Sequence, residues 1–183
     1  KIDSVSVLNN PSLLDEFEPG SIFKPLTISA GLDAELINPN TIYEDKGEER
    51  IDDFTIRNSD KLAHGIQTMT EVLQKSLNTG TIFVQRLLGK ERFTGYVKKY
   101  GFGVRTGIEL SPEGNGNISP LDKRGQIYAA TASYGQGITV TPLQMVSAFQ
   151  ALANGGKLMR THIVREIVSP DGTQVVTPPT VIR

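Results

Sequence analysis

The sequence predicts an α+β fold. Three observations carry that prediction. Thr68-Met69-Thr70-Glu71 has the form of a capping box ahead of apolar residues at helical spacing. Thr141-Pro142 couples an N-cap residue to a proline suited to the first helical position, again ahead of a helical pattern. Late in the chain, two β-rich runs, 163–168 and 173–176, flank Pro170-Asp171-Gly172 and read as a hairpin. Strands that meet after several helices point to the α+β class.

In chain order, residues 1–18 form an irregular lead-in with a turn at Asn9-Asn10-Pro11. A helix is predicted over 21–32. The acidic stretch 33–66, punctuated by Pro39, Gly47 and Gly65, reads as loops and short strands, with Ile51, Phe54 and Ile56 on one strand. After the capping box, Met69, Val72, Leu73 and Leu77 share one helix face. Ser76-Leu77-Asn78-Thr79-Gly80 interrupts it, with Gly80 as the expected break. Further helices over 82–88 and 91–100 stop at Gly89 and Gly101, both suited to the position after a helix end. Residues 101–127, rich in glycine and holding Pro112 and Pro120, read as loop. In the helix opening at Thr141, Leu143, Val146, Phe149 and Leu152 form the expected buried stripe, and Asn154-Gly155 ends it.

Composition narrows the function classes. The chain has 183 residues, 38% hydrophobic and 21% charged, an ordinary globular balance that suits one domain or most of a larger one. It has no cysteine, which excludes disulfides and thiolate metal sites. No apolar run approaches membrane-spanning length. Net charge is −1, unevenly spread: residues 1–60 are acidic and 61–183 basic. No basic run interleaved with aromatics favours nucleic acid, so no nucleic-acid partner is expected. His64 and His162 lie far apart without companion ligands, and no metal or cofactor is expected. Glu48-Glu49 and Asp52-Asp53 read as a solvated acidic loop.

The candidate chemistry lies in Glu18-Pro19-Gly20-Ser21-Ile22-Phe23-Lys24-Pro25. Residues three apart on a helix are neighbours, so the Ser21 hydroxyl and the Lys24 amine can come within hydrogen-bond reach. A neutral lysine is a competent base for a serine, provided burial depresses its pKa. Gly20 removes a side chain ahead of the hydroxyl, and a helix start at Ser21 offers unpaired amides to a developing oxyanion. Pro25 is tolerable only in the first helical turn, which places the helix start at Ser21. A Ser-x-x-Lys spacing arises by chance on the order of once in a chain of this size, so the pair alone decides little. A second element, Ser76-Leu77-Asn78, can turn a hydroxyl and a carboxamide towards one cavity if the helix breaks there.

Together these motifs resemble a known family. The segments EPGSIFKPLTISAGL, TMTEVLQKSLNTGTIFVQRLLG, YGFGVRTGIELSPEGNG and ASYGQGITVTPLQMVSAFQALANGGKL are similar, in order and spacing, to the transpeptidase domain of class B penicillin-binding proteins, over residues 9–183. The resemblance implies a β-lactamase/transpeptidase-like α+β fold, with helices around a largely antiparallel sheet that is incomplete in this chain. It makes Ser21 the acylated nucleophile, with its backbone N–H in the oxyanion site. Lys24 becomes the base, Ser76 the proton-shuttle hydroxyl and Asn78 a substrate-positioning amide. The implied reaction cross-links peptidoglycan stem peptides at their D-Ala-D-Ala ends, with β-lactam antibiotics as mimics. It needs no cofactor. Implied partners are cell-wall synthesis or division proteins, and the implied place is the extracytoplasmic face of the bacterial cytoplasmic membrane, with an anchor outside this chain. Two alternatives share the motifs: a serine β-lactamase or D,D-carboxypeptidase, and a non-catalytic β-lactam sensor or scaffold. By the same resemblance, Tyr134-Gly135-Gln136-Gly137 is expected to pack backbone near the floor of the site.

The chain departs from the family pattern at Ile22, where threonine is usual, and at Leu77, where a polar residue is common. It also contains no Lys-Thr-Gly or Lys-Ser-Gly. Arg105-Thr106-Gly107 sits in a family loop and is not expected to substitute for it. These 183 residues are therefore expected to be a partial transpeptidase domain, with an open sheet edge and an uncovered apolar face. Its remaining C-terminal part is the implied partner, and the segment alone is expected to be nearly inactive.

Overall fold

The structure, a computed structural model, describes residues 9–183. The first described element, α1 (Pro11–Leu14), is a single turn capped by the Asn10 side chain, which accepts from the Ser12 N–H at 3.0 Å. A 3₁₀ turn, Gly20–Phe23, then leads directly into α2 (Lys24–Asp33), whose second residue is Pro25. A proline there costs no helical hydrogen bond, because that N–H has no partner in the helix.

α2 lies at the centre of the core. It packs on α4 (Asn78–Leu88), and Gly31 permits the approach: a Cβ there would lie 2.6 Å from Val84 Cγ1 and 2.8 Å from Ile37 Cδ1. Phe23, Leu26, Ile28, Val72, Leu77, Val84, Phe93 and Phe102 are among the residues of one continuous buried cluster. The Phe23 and Phe102 rings meet at 5.3 Å between centroids, within the range for tilted aromatic pairs.

The expected mixture of helices and antiparallel strands is present, but the strands are distributed over three separate pairs rather than one sheet. β1 (Ile42–Asp45) pairs with β4 (Gly65–Thr68), in register from Ile42 opposite Thr68 to Asp45 opposite Gly65. Between them, β2 (Glu48–Ile51) and β3 (Phe54–Arg57) form a hairpin closed by Ile51 opposite Phe54. The expectation of one strand through Ile51, Phe54 and Ile56 is thus corrected. Asp52 takes φ +52° and reverses the chain between the first two. β5 (Glu166–Val168) and β6 (Gln174–Val176) form the predicted hairpin, with every strand residue exposed.

α3 (Met69–Gln74) starts with the predicted reciprocal cap between Thr68 and Glu71, and α5 (Lys90–Lys99) follows Gly89 as expected. Gly80 is not the helix break. It lies inside α4 under Val72, where a Cβ would come within 2.4 Å of Cγ2, and so permits α3 and α4 to pack closely.

Two helical features differ from expectation. α6 (Ile127–Ala132) was not predicted. Its first amides are held by a carboxylate 74 residues away, as Gln126 N–H and Ile127 N–H donate to Asp52 Oδ2 at 3.0 and 3.1 Å. Asp52 is therefore a helix cap and not merely a solvated loop acid. In α7 (Pro142–Ala153) the buried face is Gln144, Met145, Ala148 and Ala151, while Val146 is 65% exposed and Phe149 38%. The small alanines allow the closer approach to the core. Gln144 is tolerated inside because its amide donates to the Val104 and Asn115 carbonyls at 2.8 and 2.7 Å. No helix among the described residues is long and apolar enough to cross a membrane.

Candidate active site

The turn that carries Ser21 is fixed by glycine on both sides. Gly20 has φ +57°, and its N–H donates to the Gly135 carbonyl at 2.8 Å. Gly135, itself at φ +82°, sits so close that a Cβ would fall 2.2 Å from Gly20 O and 2.5 Å from Gly20 N. The Tyr134-Gly135-Gln136-Gly137 segment is thus the backing of the Ser21 turn. Nothing lies within 4 Å of a Cβ built on Gly20, so the other side of the turn is open. Ser21 is exposed on this 3₁₀ turn, and Lys24, three residues on, opens α2.

Lys24 is 1% exposed. Its amine donates to the Ser76 carbonyl at 2.5 Å and lies 2.9 Å from Ser76 Oγ. The Lys24 N–H donates to the Ser21 carbonyl, but among the described residues no hydrogen bond joins their side chains. In place of the expected direct side-chain pair, the Lys24 amine is paired with Ser76 while Ser21 stays exposed. Loss of hydration on burial lowers the Lys24 ammonium to about 8, which leaves roughly a tenth of the amine neutral at pH 7. Among the described residues no acidic side chain is paired with it.

Ser76 reaches Lys24 through an unusual backbone. The C-terminus of α3 closes with Ser76 N–H donating to Leu73 O at 3.2 Å and Leu77 N–H to Val72 O at 2.9 Å, the pattern of a Schellman motif. The residue at the left-handed position of that motif is usually glycine. Here it is Ser76, at φ +55°. An L-residue there costs about 1 kcal/mol or more. The strained position turns both oxygens of Ser76 to the lysine. Buried Leu77, 1% exposed, anchors the far side.

Asn78 opens α4 as its first residue, half-buried, with Nδ2 donating to the Arg57 carbonyl at 2.8 Å. That bond uses one of two amide hydrogens and leaves Oδ1 free to accept. Below it lies a polar cluster that the sequence pattern did not disclose. Asp45, Asn58 and Thr79 are each at most 3% exposed and are bonded to one another. Asp45 and Asn58 fall in a stretch whose composition reads as a solvated acidic loop, and only a cross-strand pairing could have flagged them.

The remaining expected features serve structure. Arg105-Thr106-Gly107 is held by buried Glu113, which accepts from the Thr106 N–H and hydroxyl at 2.7 and 2.6 Å and from the Gly107 N–H at 3.2 Å. His64 pairs with Asp60 at 2.8 Å, and the His162 ring approaches the Arg160 carbonyl at 3.4 Å. Glu48 pairs with Arg57, and Glu49 with Arg86.

The family model of the penicillin binding protein transpeptidase domain matches residues 2–182. The chain belongs to this family. It is 40% identical over 167 residues to stage V sporulation protein D of Bacillus subtilis, covering 90% of this chain and 26% of that protein. It is 34% identical over 173 residues to penicillin-binding protein PbpB of Mycobacterium tuberculosis, covering 93% of this chain and 25% of that one. Among solved structures, penicillin binding protein 3 of Mycobacterium tuberculosis complexed with aztreonam superposes with a TM-score of 0.88 at 34% identity, over 96% of this chain and 40% of that chain. The chain therefore spans about a quarter of the length of these curated relatives.

Proposed function

We propose that the protein is a peptidoglycan D,D-transpeptidase that works through a Ser21 acyl-enzyme and is a target of β-lactams. The observation that carries this reading is the buried Lys24 amine bonded to Ser76, three residues on from the exposed Ser21. Neutral Lys24 takes the Ser21 proton as Oγ attacks the carbonyl of the D-Ala-D-Ala bond. The Ser21 N–H stabilises the oxyanion together with a donor outside these residues. The proton passes from Lys24 through Ser76 Oγ to the departing D-alanine nitrogen, and the C–N bond breaks. An amine from a neighbouring stem peptide then attacks the acyl carbonyl, its proton returns by the same route, and Ser21 is released. Asn78 holds an amide of the substrate. The third family motif, Lys-Thr/Ser-Gly, lies outside this sequence, so on this reading residues 1–183 are part of the transpeptidase domain. On the same reading the work is done on the extracytoplasmic face of the bacterial cytoplasmic membrane, alongside other cell-wall synthesis or division proteins.

Full-length protein incubated with a fluorescent penicillin and followed by intact mass tests the reading. The expected result is a stable adduct on Ser21 that is absent from Ser21→Ala. Rapid loss of the adduct would make the protein a β-lactamase. Absence of any adduct would remove acyl transfer altogether. A stable adduct without strand cross-linking of a lipid-linked substrate would leave a sensor.

A further inference from the structure

Asn78 is gripped from two directions by one buried polar unit. Its successor, Thr79, donates its N–H to Asn58 Oδ1 at 3.3 Å and its hydroxyl to Asp45 Oδ1 at 2.8 Å. Its own carboxamide donates to the carbonyl of Arg57, the residue bonded to Asn58. Asn58 is in turn locked: Nδ2 faces both Asp45 oxygens at 3.0 and 2.9 Å and the Leu62 carbonyl at 3.3 Å, and its N–H donates to Gly47 O at 3.0 Å.

Asp45 is the hub. Besides Asn58 and Thr79, it accepts from the Gly47 N–H at 2.9 Å and the His64 N–H at 3.1 Å. It is 1% exposed and makes no salt bridge among the described residues, so these donors replace water for the carboxylate. Tyr43 OH closes the group at 3.2 Å from Thr79 Oγ1. Gly47 seals the loop: a Cβ there would meet Leu62 and Ala63 backbone atoms at 2.9 Å. A buried carboxylate is a costly way to close a hairpin, and fully satisfied networks of this kind fix one geometry. Here the geometry fixed is that of the first turn of α4.

We infer that Asp45, Asn58 and Thr79 are positioning residues for the Asn78 carboxamide, setting the acceptance of substrates that carry an amide beside the scissile bond. The inference rests on the acyl-transfer reading. A slack clamp lets Asn78 swing away from the Arg57 carbonyl, and the amide contact to the substrate is lost while the Ser21–Lys24–Ser76 machinery stays in place.

The test uses the full-length protein and two probes. A fluorescent penicillin with an acylamino side chain presents the amide; 6-aminopenicillanic acid lacks it. Asn58→Asp sets two carboxylates face to face, Asp45→Asn sets two amides face to face, and Thr79→Val removes one donor without changing shape. The expected result is acylation by the acylamino penicillin slowed about tenfold or more, against at most about twofold for 6-aminopenicillanic acid. The exchanged pair Asp45→Asn/Asn58→Asp, which restores one carboxylate facing one amide, recovers most of the loss. Equal slowing with both probes, in step with a lower melting temperature, would reduce the clamp to a fold element and overturn the inference. Unchanged rates with both probes would also overturn it. Wild-type protein that neither probe acylates would instead defeat the acyl-transfer reading, so the two failures are distinguishable.

Discussion

Gly20 and Ser76 take almost the same left-handed φ, +57° and +55°, in two turns of one site. At Gly20, ahead of Ser21, the left-handed conformation is adopted by the residue that bears it without strain, and the space beside it is empty. At Ser76, after α3, a hydroxyl-bearing residue holds a position that glycine would fill more comfortably. The first position needs only a chain reversal. The second needs the reversal and an oxygen aimed at Lys24. The strained turn at Ser76 carries two oxygens to Lys24, whereas the relaxed turn at Gly20 carries only the chain.

The largest expected effect comes from the backing of the relaxed turn. Gly135→Ala forces a Cβ into the Gly20 backbone and should lower stability by about 3 kcal/mol or more, abolishing acylation with it; chemical denaturation and penicillin labelling read both. If the variant were as stable as wild type, the close packing of the two glycines would be refuted.

Ser76→Gly should split the two properties. Relief of the left-handed strain raises stability by about 1 kcal/mol. If Ser76 is the relay of the proposed mechanism, loss of its hydroxyl slows acylation about a hundredfold. Gly20→Ala is the mirror control: the absence of any neighbour within 4 Å confines its cost to about 1 kcal/mol of backbone strain. A Ser76→Gly protein no more stable than wild type would remove the strain from the comparison.

Acylation should also follow the charge of Lys24. With the ammonium lowered to about 8 by burial, the rate rises about tenfold per pH unit below 7 and levels off above about 8, as stopped-flow labelling can measure. Stability carries the matching sign. The unfolded lysine titrates near its ordinary 10.5, so between about 8 and 10.5 the unfolded chain binds a proton that the native state does not. The Lys24 contribution to stability therefore improves as pH rises through that window, and its cost is fully present below about 8. Tyr134, pushed up to about 12 mainly by burial, acts in the opposite sense once pH passes the ordinary tyrosine value of 10.0. A flat pH–rate profile from 6 to 9 would show that Lys24 is not the base.

Much of the site was legible as residues and little of it as geometry. Ser21, Lys24, Ser76 and Asn78 stood out because their spacing matches a known pattern. That the Lys24 amine bonds Ser76 and not Ser21, and that Gly80 packs inside a helix while Ser76 makes the break, depended on contacts across 52 residues and between α3 and α4. The apolar stripe of α7 was misplaced for a related reason. Hydrophobicity ranks Val146 and Phe149 above Ala148 and Ala151, whereas close packing favours the smaller pair.

The sequence by itself determined what short-range physics controls. The Thr68 and Thr141 caps, the stops at Gly89 and Gly101 and the Pro170-Asp171-Gly172 hairpin each follow from bonds or dihedrals spanning a few residues. Only the tertiary structure decided that Asp52 caps α6, that Asp45 and Asn58 sit beneath Asn78, and that burial brings the Lys24 amine towards neutrality. Burial and long-range pairing depend on which surfaces meet, and a side chain's hydration, charge and partners are unsettled until they do.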